Sequence, residues 1–159
     1  MSKLATFLWF EDRAEEAAKF YVSIFKNSQT KNVSDSGVES QSDFESAMST
    51  SFELGGQEFI AFNGGPLYSF SPATSFFVKC ETQDEVDHYW DRLSADGGEK
   101  QQCGWLKDKF GITWQVVPNI LGELLSDEDP AKAKRVLDAM LQMKKLEIVE
   151  LMQTYNADI

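Results

Sequence analysis

Histidine is nearly missing from this chain: His88 is the only one in 159 residues. A divalent ion needs several N, O or S donors converging on one point, so a centre built on imidazoles is excluded. Cysteine is almost as scarce. Cys80 and Cys103 do not make a disulfide framework, and both are expected to be reduced, buried thiols. Bases are outnumbered, 15 Lys and Arg against 26 Asp and Glu, and the net charge of −11 argues against a surface built for a phosphate backbone. No apolar run reaches membrane-spanning length and no signal-peptide pattern is present. The expectation is therefore a cytoplasmic protein with no nucleic-acid and no membrane partner. Aromatic residues, by contrast, make up 13% of the chain and hydrophobic residues 42%, ample for the interior of one ordinary domain.

The stretch Leu4–Ser28 sets the pattern. Leu4 to Phe10 is almost continuously apolar, with aromatics at Phe7, Trp9 and Phe10, and reads as a strand covered on both faces. Asp12 stands where a helix N-cap is wanted, and Glu15, three residues on, completes a capping box. Ala14, Ala17, Ala18, Tyr21, Ile24 and Phe25 then recur at helical spacing and form one apolar stripe. Lys26 suits the helix C-terminus, and Asn27 can take the left-handed cap.

The rest of the chain alternates between strand and helix signals. Thr30–Val33 reads as a short edge strand and Ser34–Ser46 as a surface loop and candidate lid. In Ala47–Leu54, Met48, Thr50, Phe52 and Leu54 fall on one face and Ser49, Ser51 and Glu53 on the other. Gly55-Gly56 makes a tight hairpin into Gln57–Asn63. The connector Asn63–Thr74 has glycines but no following Lys-Ser/Thr, so it is no phosphate loop. Ser75–Cys80 is a second buried strand, and Thr82 with Glu85 caps a helix whose stripe is Val86, Tyr89, Trp90 and Leu93, stopped by Gly97-Gly98. Lys100–Lys107 and Gly111–Val117 read as strands around the turn Asp108–Gly111. Strand–helix–strands thus occurs twice, over residues 4–63 and 75–117. After Pro118 the chain is helical: Asn119–Leu125, then a helix capped by Asp129-Pro130 with the stripe Ala133, Val136, Leu137, Met140 and Leu141, then Leu146–Tyr155. These last helices are expected to cover an exposed sheet face or to pack on a second subunit.

A duplicated βαβββ module resembles the vicinal-oxygen-chelate superfamily, the glyoxalase and bleomycin-resistance fold. The opening LWFEDRAEEAAKFYVSIFKNS, the hairpin ELGGQEFIAFNGG, the segment GWLKDKFGITWQVVPNILGELL and the tail DPAKAKRVLDAMLQMKKLEI are similar to its PhnB-like branch, labelled a 3-demethylubiquinone-9 3-methyltransferase domain. The resemblance implies an α+β fold in which two modules form a cup-shaped mixed sheet. Residues 1–118 would be one glyoxalase-like domain and 119–159 a helical extension, and two copies would assemble as a homodimer. It also implies a site inside the cup for a small molecule or metal. Metal-dependent members place one ligand on each of four strands, at positions that correspond here to Ala5, Phe59, Ser75 and Gln115. Only Gln115 is a plausible donor, and a one-residue register slip, which brings in Thr6, Glu58, Thr74 and Thr113 or Trp114, is no better, so no metal and no cofactor is expected. Methyl transfer from S-adenosylmethionine often uses a glycine-rich strand-to-helix turn, and Glu11-Asp12-Arg13 and Glu81-Thr82-Gln83 contain no glycine.

Period-two parity anchored on Ala5 and Gln115 assigns the cup lining. It gives Phe7, Trp9, Phe59, Ala61, Asn63, Ser75, Phe77, Thr113 and Gln115 as ligand-binding candidates, with Lys79 and Val117 on the same side. Leu8, Phe10, Ile60, Phe62, Phe76, Val78, Ile112, Trp114 and Val116 then face the helices. Apolar walls with a few polar groups suit an unidentified small molecule. Other readings stay open. Phe7 and Trp9 also suit a filled core. Gln115 suits satisfying a backbone group. Lys79 suits a solvated charge, and Glu11, Asp12, Glu15 and Glu16 suit helix caps and dipole partners rather than acid–base catalysts. Three readings compete: a metal-free binding protein; a superfamily enzyme (lyase, isomerase, dioxygenase or methyltransferase) in which Gln115, Asn63 and Ser75 are the polar participants; and a structural dimer with a collapsed, ligand-free cup.

Overall fold

The computed structural model describes residues 3–31 and 49–157. The chain divides into two compact units, Met1–Phe70 and Ser71–Ile159. The first holds β1 (Thr6–Phe10), α1 (Ala14–Ile24), β2 (Ser28–Lys31), β3 (Ser49–Leu54) and β4 (Gln57–Asn63). Its sheet order is β1-β4-β3-β2, with β1 parallel to β4 and the other pairs antiparallel. The second holds β5 (Ser75–Cys80), α2 (Gln83–Leu93), β6 (Glu99–Lys100), β7 (Trp105–Lys107) and β8 (Thr113–Pro118), then α3 (Asn119–Leu125), α4 (Pro130–Leu141) and α5 (Ile148–Tyr155). Its sheet order β5-β8-β7-β6, with β5 parallel to β8, repeats the first topology, so the module is duplicated.

In the first unit, Ala14, Ala17, Ala18, Tyr21 and Ile24 of α1 are all buried. The three alanines let the helix lie close to the sheet. Tyr21 stacks on Phe52 and Phe52 on Phe59, with centroids 6.0 and 5.1 Å apart. Burying each such side chain contributes on the order of 1.5–3 kcal/mol. Gly55 and Gly56 both take positive φ, 55° and 89°, as a two-residue hairpin turn requires. Asn27 takes a left-handed φ of 53°, but in the turn into β2 rather than as the cap of α1: the cap is Phe25, in extended conformation, whose N–H donates to Tyr21 O.

The start of α1 differs from expectation. Arg13, not Asp12, is the N-cap residue, and it makes no side-chain cap. The Ala14 N–H donates instead to Asn63 Oδ1 at 2.7 Å. Parallel pairing sets Phe10 opposite Asn63, which brings the carboxamide to the end of β1. β1 also begins two residues later than expected and is covered on one face only, with Phe7 55% exposed. β2 starts at Ser28, so the expected Thr30–Val33 strand is shifted; Val33, the candidate lid Ser34–Ser46 and the expected start Ala47–Met48 lie outside the described residues.

In the second unit, Thr82 Oγ1 accepts from the Glu85 N–H and Glu85 accepts from the Glu81 N–H, so this helix start carries its own cap. Lys100–Lys107 is not one strand. It breaks between β6 and β7, where Cys103 and Gly104 take φ 59° and 83°. Their N–H groups donate to Met143 O and Lys144 O, both at 2.8 Å, which ties the segment after α4 to the module. Gln83 ties it again: its Nε2 donates to Leu146 O and its Oε1 accepts from Ile148 N–H. Leu121, Leu124, Val136, Met143, Leu146 and Leu151 form an apolar cluster with Val117 of β8. The helical tail thus packs on its own module at that end of the sheet. The stripe of α4 is narrower than expected, because Leu137 and Leu141 are 40% and 50% exposed while Val136 is buried.

Candidate functional site

The face of the first sheet turned away from α1 carries the aromatic concentration. Leu8 and Phe10 are buried, so Phe7 and Trp9 stand on the opposite face. In register with them on β4 are Ile60 and Phe62. Phe62 contacts Phe7 and Trp9, each at 5.3 Å between centroids, and Tyr68 meets Trp9 edge-on at 5.0 Å. Ser49 and Ser51 of β3 pair with Phe62 and Ile60 and extend this face with hydroxyl groups. The result is a shelf of four aromatic rings, with Phe7 55% and Tyr68 63% exposed.

A glycine pair fixes Trp9. Gly64 N–H donates to Phe10 O and Gly65 N–H to Glu11 O, so the chain continues β1–β4 pairing past Asn63. Trp9 Nε1 donates to Gly65 O at 3.0 Å. A Cβ at position 64 would lie 2.3 Å from the indole, so the backbone passes over the ring as only glycine allows. This crossing delivers Tyr68 to the shelf.

In the second unit, Ser75, Phe77 and Lys79 share a face with Thr113, Gln115 and Val117. Gln115 Nε2 donates to Ser75 Oγ at 3.0 Å, a side-chain partner rather than a backbone one. Phe77 is 53% exposed, Lys79 is exposed and Thr113 is buried. On the helix side, Asp108 is buried and holds the β7–β8 turn: Oδ1 accepts from Phe110 and Ile112 N–H, and Oδ2 from Trp114 Nε1 at 2.8 Å.

These placements correct the expected lining on β4. Phe59, Ala61 and Asn63 lie on the helix-covered side, with Phe59 stacked on Phe52, Ala61 fully buried and Asn63 capping α1. Ile60 and Phe62, expected against the helix, lie on the open face with Phe7 and Trp9. The first-unit residues that sequence reasoning missed are therefore Ile60, Phe62, Tyr68 and Gly64. A signal for the first two was present. The two-residue Gly-Gly turn fixes Leu54 opposite Gln57 and hence Phe52 opposite Phe59, so Phe59 must share Phe52's buried face. Ser75, Phe77, Thr113 and Gln115 fall on the expected side.

Of the positions that correspond to metal ligands, Ala5 is exposed and precedes β1, Phe59 faces α1, and Ser75 and Gln115 bond to each other. Among the described residues, no three His, Cys, Asp or Glu side chains are grouped to hold an ion. His88 is exposed on α2, its ring 4.9 Å from that of Tyr89. Glu15 and Glu16 pair with Lys19 and Arg13 on the exposed side of α1. Cys80 is buried, and that burial, with Glu85 adding to it, pushes its thiol up to about 12. Cys103 is only half-buried, contrary to expectation, because it sits in the β6–β7 break.

Two four-stranded mixed sheets, each built from a βαβββ module with its helix on one face, define a protein of the glyoxalase and bleomycin-resistance fold. The family model described as 3-demethylubiquinone-9 3-methyltransferase matches residues 2–117, and the chain belongs to that family. The PhnB protein of Bacillus cereus is 31% identical and superimposes with a TM-score of 0.59, covering 74% of this chain and 99% of its own. Protein PA1353 of Pseudomonas aeruginosa, 17% identical, covers 74% of this chain and 98% of its own with the same TM-score of 0.59. SA1046 of S. aureus, 14% identical, covers 72% and 91% with a TM-score of 0.51. No curated protein matches the chain. The family match ends at the close of β8, so α3 to α5 lie beyond it. No helix among the described residues is long and apolar enough to cross a membrane.

Proposed function

We propose that this protein binds a small molecule, without a resident metal, and that the aromatic shelf of the first unit is its principal contact surface. The observation that supports this is the exposure of Phe7 and Tyr68 beside a Trp9 whose position is fixed by Gly64 and Gly65. An exposed group of rings packed on a hydrogen-bonded indole loses little entropy on binding and offers flat apolar area. Ser49 and Ser51 supply the adjoining polar groups.

The enzyme reading is less well supported. Two of its three polar participants are committed: Asn63 Oδ1 caps α1, and the Gln115 amide is spent on Ser75. A cytoplasmic setting and assembly of two copies belong to the same proposal; the free thiols Cys80 and Cys103 accord with the first, and native mass spectrometry tests the second.

The test is a thermal-shift screen of small aromatic and apolar compounds, followed by titration. A ligand at a hundred times its Kd stabilises the fold by about 2.7 kcal/mol. Phe7→Ala and Tyr68→Ala should weaken binding by about five- to thirtyfold while leaving the melting temperature of the free protein nearly unchanged. Binding that survives both substitutions at full strength would place the site elsewhere.

A further inference from the structure

The open face of the first sheet does not end at the aromatic rings. Glu58 of β4 lies on it, because Phe59 on one side of Glu58 faces α1 and Ile60 beyond shares the face of Phe7. Glu58 stands directly opposite Glu53 of β3. Two carboxylates in cross-strand register repel one another and call for cations. Lys31 answers Glu53 at 3.6 Å. The Glu58 side chain has no ion-pair or hydrogen-bond partner among the described residues. Along β4 the face therefore runs from Phe62, under Trp9 and Tyr68, through Ile60 beside Phe7, to a carboxylate that none of the described residues answers. Four residues separate its ends, roughly 13 Å of strand.

We propose that this face selects organic cations: small molecules with a flat or apolar body and a protonated amine, the body on Trp9, Phe62 and Tyr68 and the amine between the exposed Phe7 ring and Glu58. The inference rests on the binding role proposed above and adds the charge of the ligand. Both ends attract the same partner, since an aromatic face draws a cation through its quadrupole and Glu58 draws it through its charge. An acidic chain of net charge −11 adds a field of the same sign.

Three probes of one shape separate the possibilities: 4-phenylbutylamine, 4-phenylbutanol and 4-phenylbutyrate, titrated by calorimetry at low ionic strength. The amine should bind about tenfold more tightly than the alcohol, and the carboxylate most weakly. In Glu58→Gln the advantage of the amine should shrink to about twofold with the alcohol's affinity unchanged, and Glu58→Lys should favour the carboxylate. Glu58→Gln also removes the repulsion from Glu53, so its melting temperature should equal or exceed that of the parent and loss of fold does not confuse the result. Equal binding of the three probes, or an amine preference untouched by Glu58→Gln, overturns the cation inference and leaves the shelf standing. Failure of all three to bind at millimolar concentration overturns the shelf as well.

Discussion

Replacing Gly64 by alanine tests the crossing of backbone over Trp9. The added Cβ would lie 2.3, 2.4 and 2.7 Å from three indole carbons, where ordinary contact begins near 3.4 Å. One of the two must move by about an ångström. The indole has little room to do so: its Nε1 is bonded to Gly65 O, Phe62 lies 5.3 Å away on one side, and Tyr68 lies 5.0 Å away on another. Overpacking costs about 1–3 kcal/mol and loss of the indole hydrogen bond about 1 more, so Gly64→Ala should destabilise by about 2–4 kcal/mol. For a chain of this size that lowers the melting temperature by about 5–15 °C. Urea unfolding measures it, and a cycle with Trp9→Leu assigns it. With the indole gone, the alanine should cost under about 1 kcal/mol, a coupling of at least about 1 kcal/mol. Gly122→Ala is the control, since its Cβ meets nothing within 4 Å inside α3 and should stabilise by about 0.5–1 kcal/mol. If Gly64→Ala costs the same with and without Trp9, the clash is not what makes glycine necessary and the account of the shelf's rigidity fails.

Asp108→Ala should cost about 3 kcal/mol or more in urea unfolding, because it strands the buried Trp114 N–H and two backbone N–H groups; a loss under 1 kcal/mol would show that water replaces the carboxylate. Cys80, pushed by burial up to about 12 from 9.0, binds its proton more tightly folded than unfolded. Its contribution to stability is therefore complete below about pH 9 and is lost as pH rises toward 12, and Cys80→Ala should flatten that alkaline decline. Under native conditions at pH 8, iodoacetamide should label half-buried Cys103 well before Cys80, with both labelled equally in urea; simultaneous native labelling would contradict the burial.

Most elements were legible because their signals are local. The α1 stripe from Ala14 to Ile24, the Thr82–Glu85 cap, the Gly55-Gly56 hairpin and the Asp129-Pro130 helix start each occupy a few neighbouring residues, and each forms where expected. The misreadings have separate origins. Asp12 looked like a cap because Asn63 lies 49 residues from the Ala14 N–H it serves. The likeness of Phe59 to a ligand position points it to the open face, although its own hairpin partner, Phe52, fixes it on the other. Tyr68 carried no periodic signal, since it arrives on an irregular connector.

The sequence by itself determined the two βαβββ modules, the helical tail and the scarcity of histidine and cysteine, because periodicity, turn chemistry and composition act over a few residues or over none in particular. Tertiary structure alone decided that Thr6–Phe10 pairs with Phe59–Asn63, that Gly64 crosses Trp9, and that Phe7, Phe62 and Tyr68 share a face with Glu58. A strand's own pattern fixes which residues alternate. Only its parallel partner, about fifty residues away, fixes which alternate set joins which, and one residue of slip exchanges the two faces.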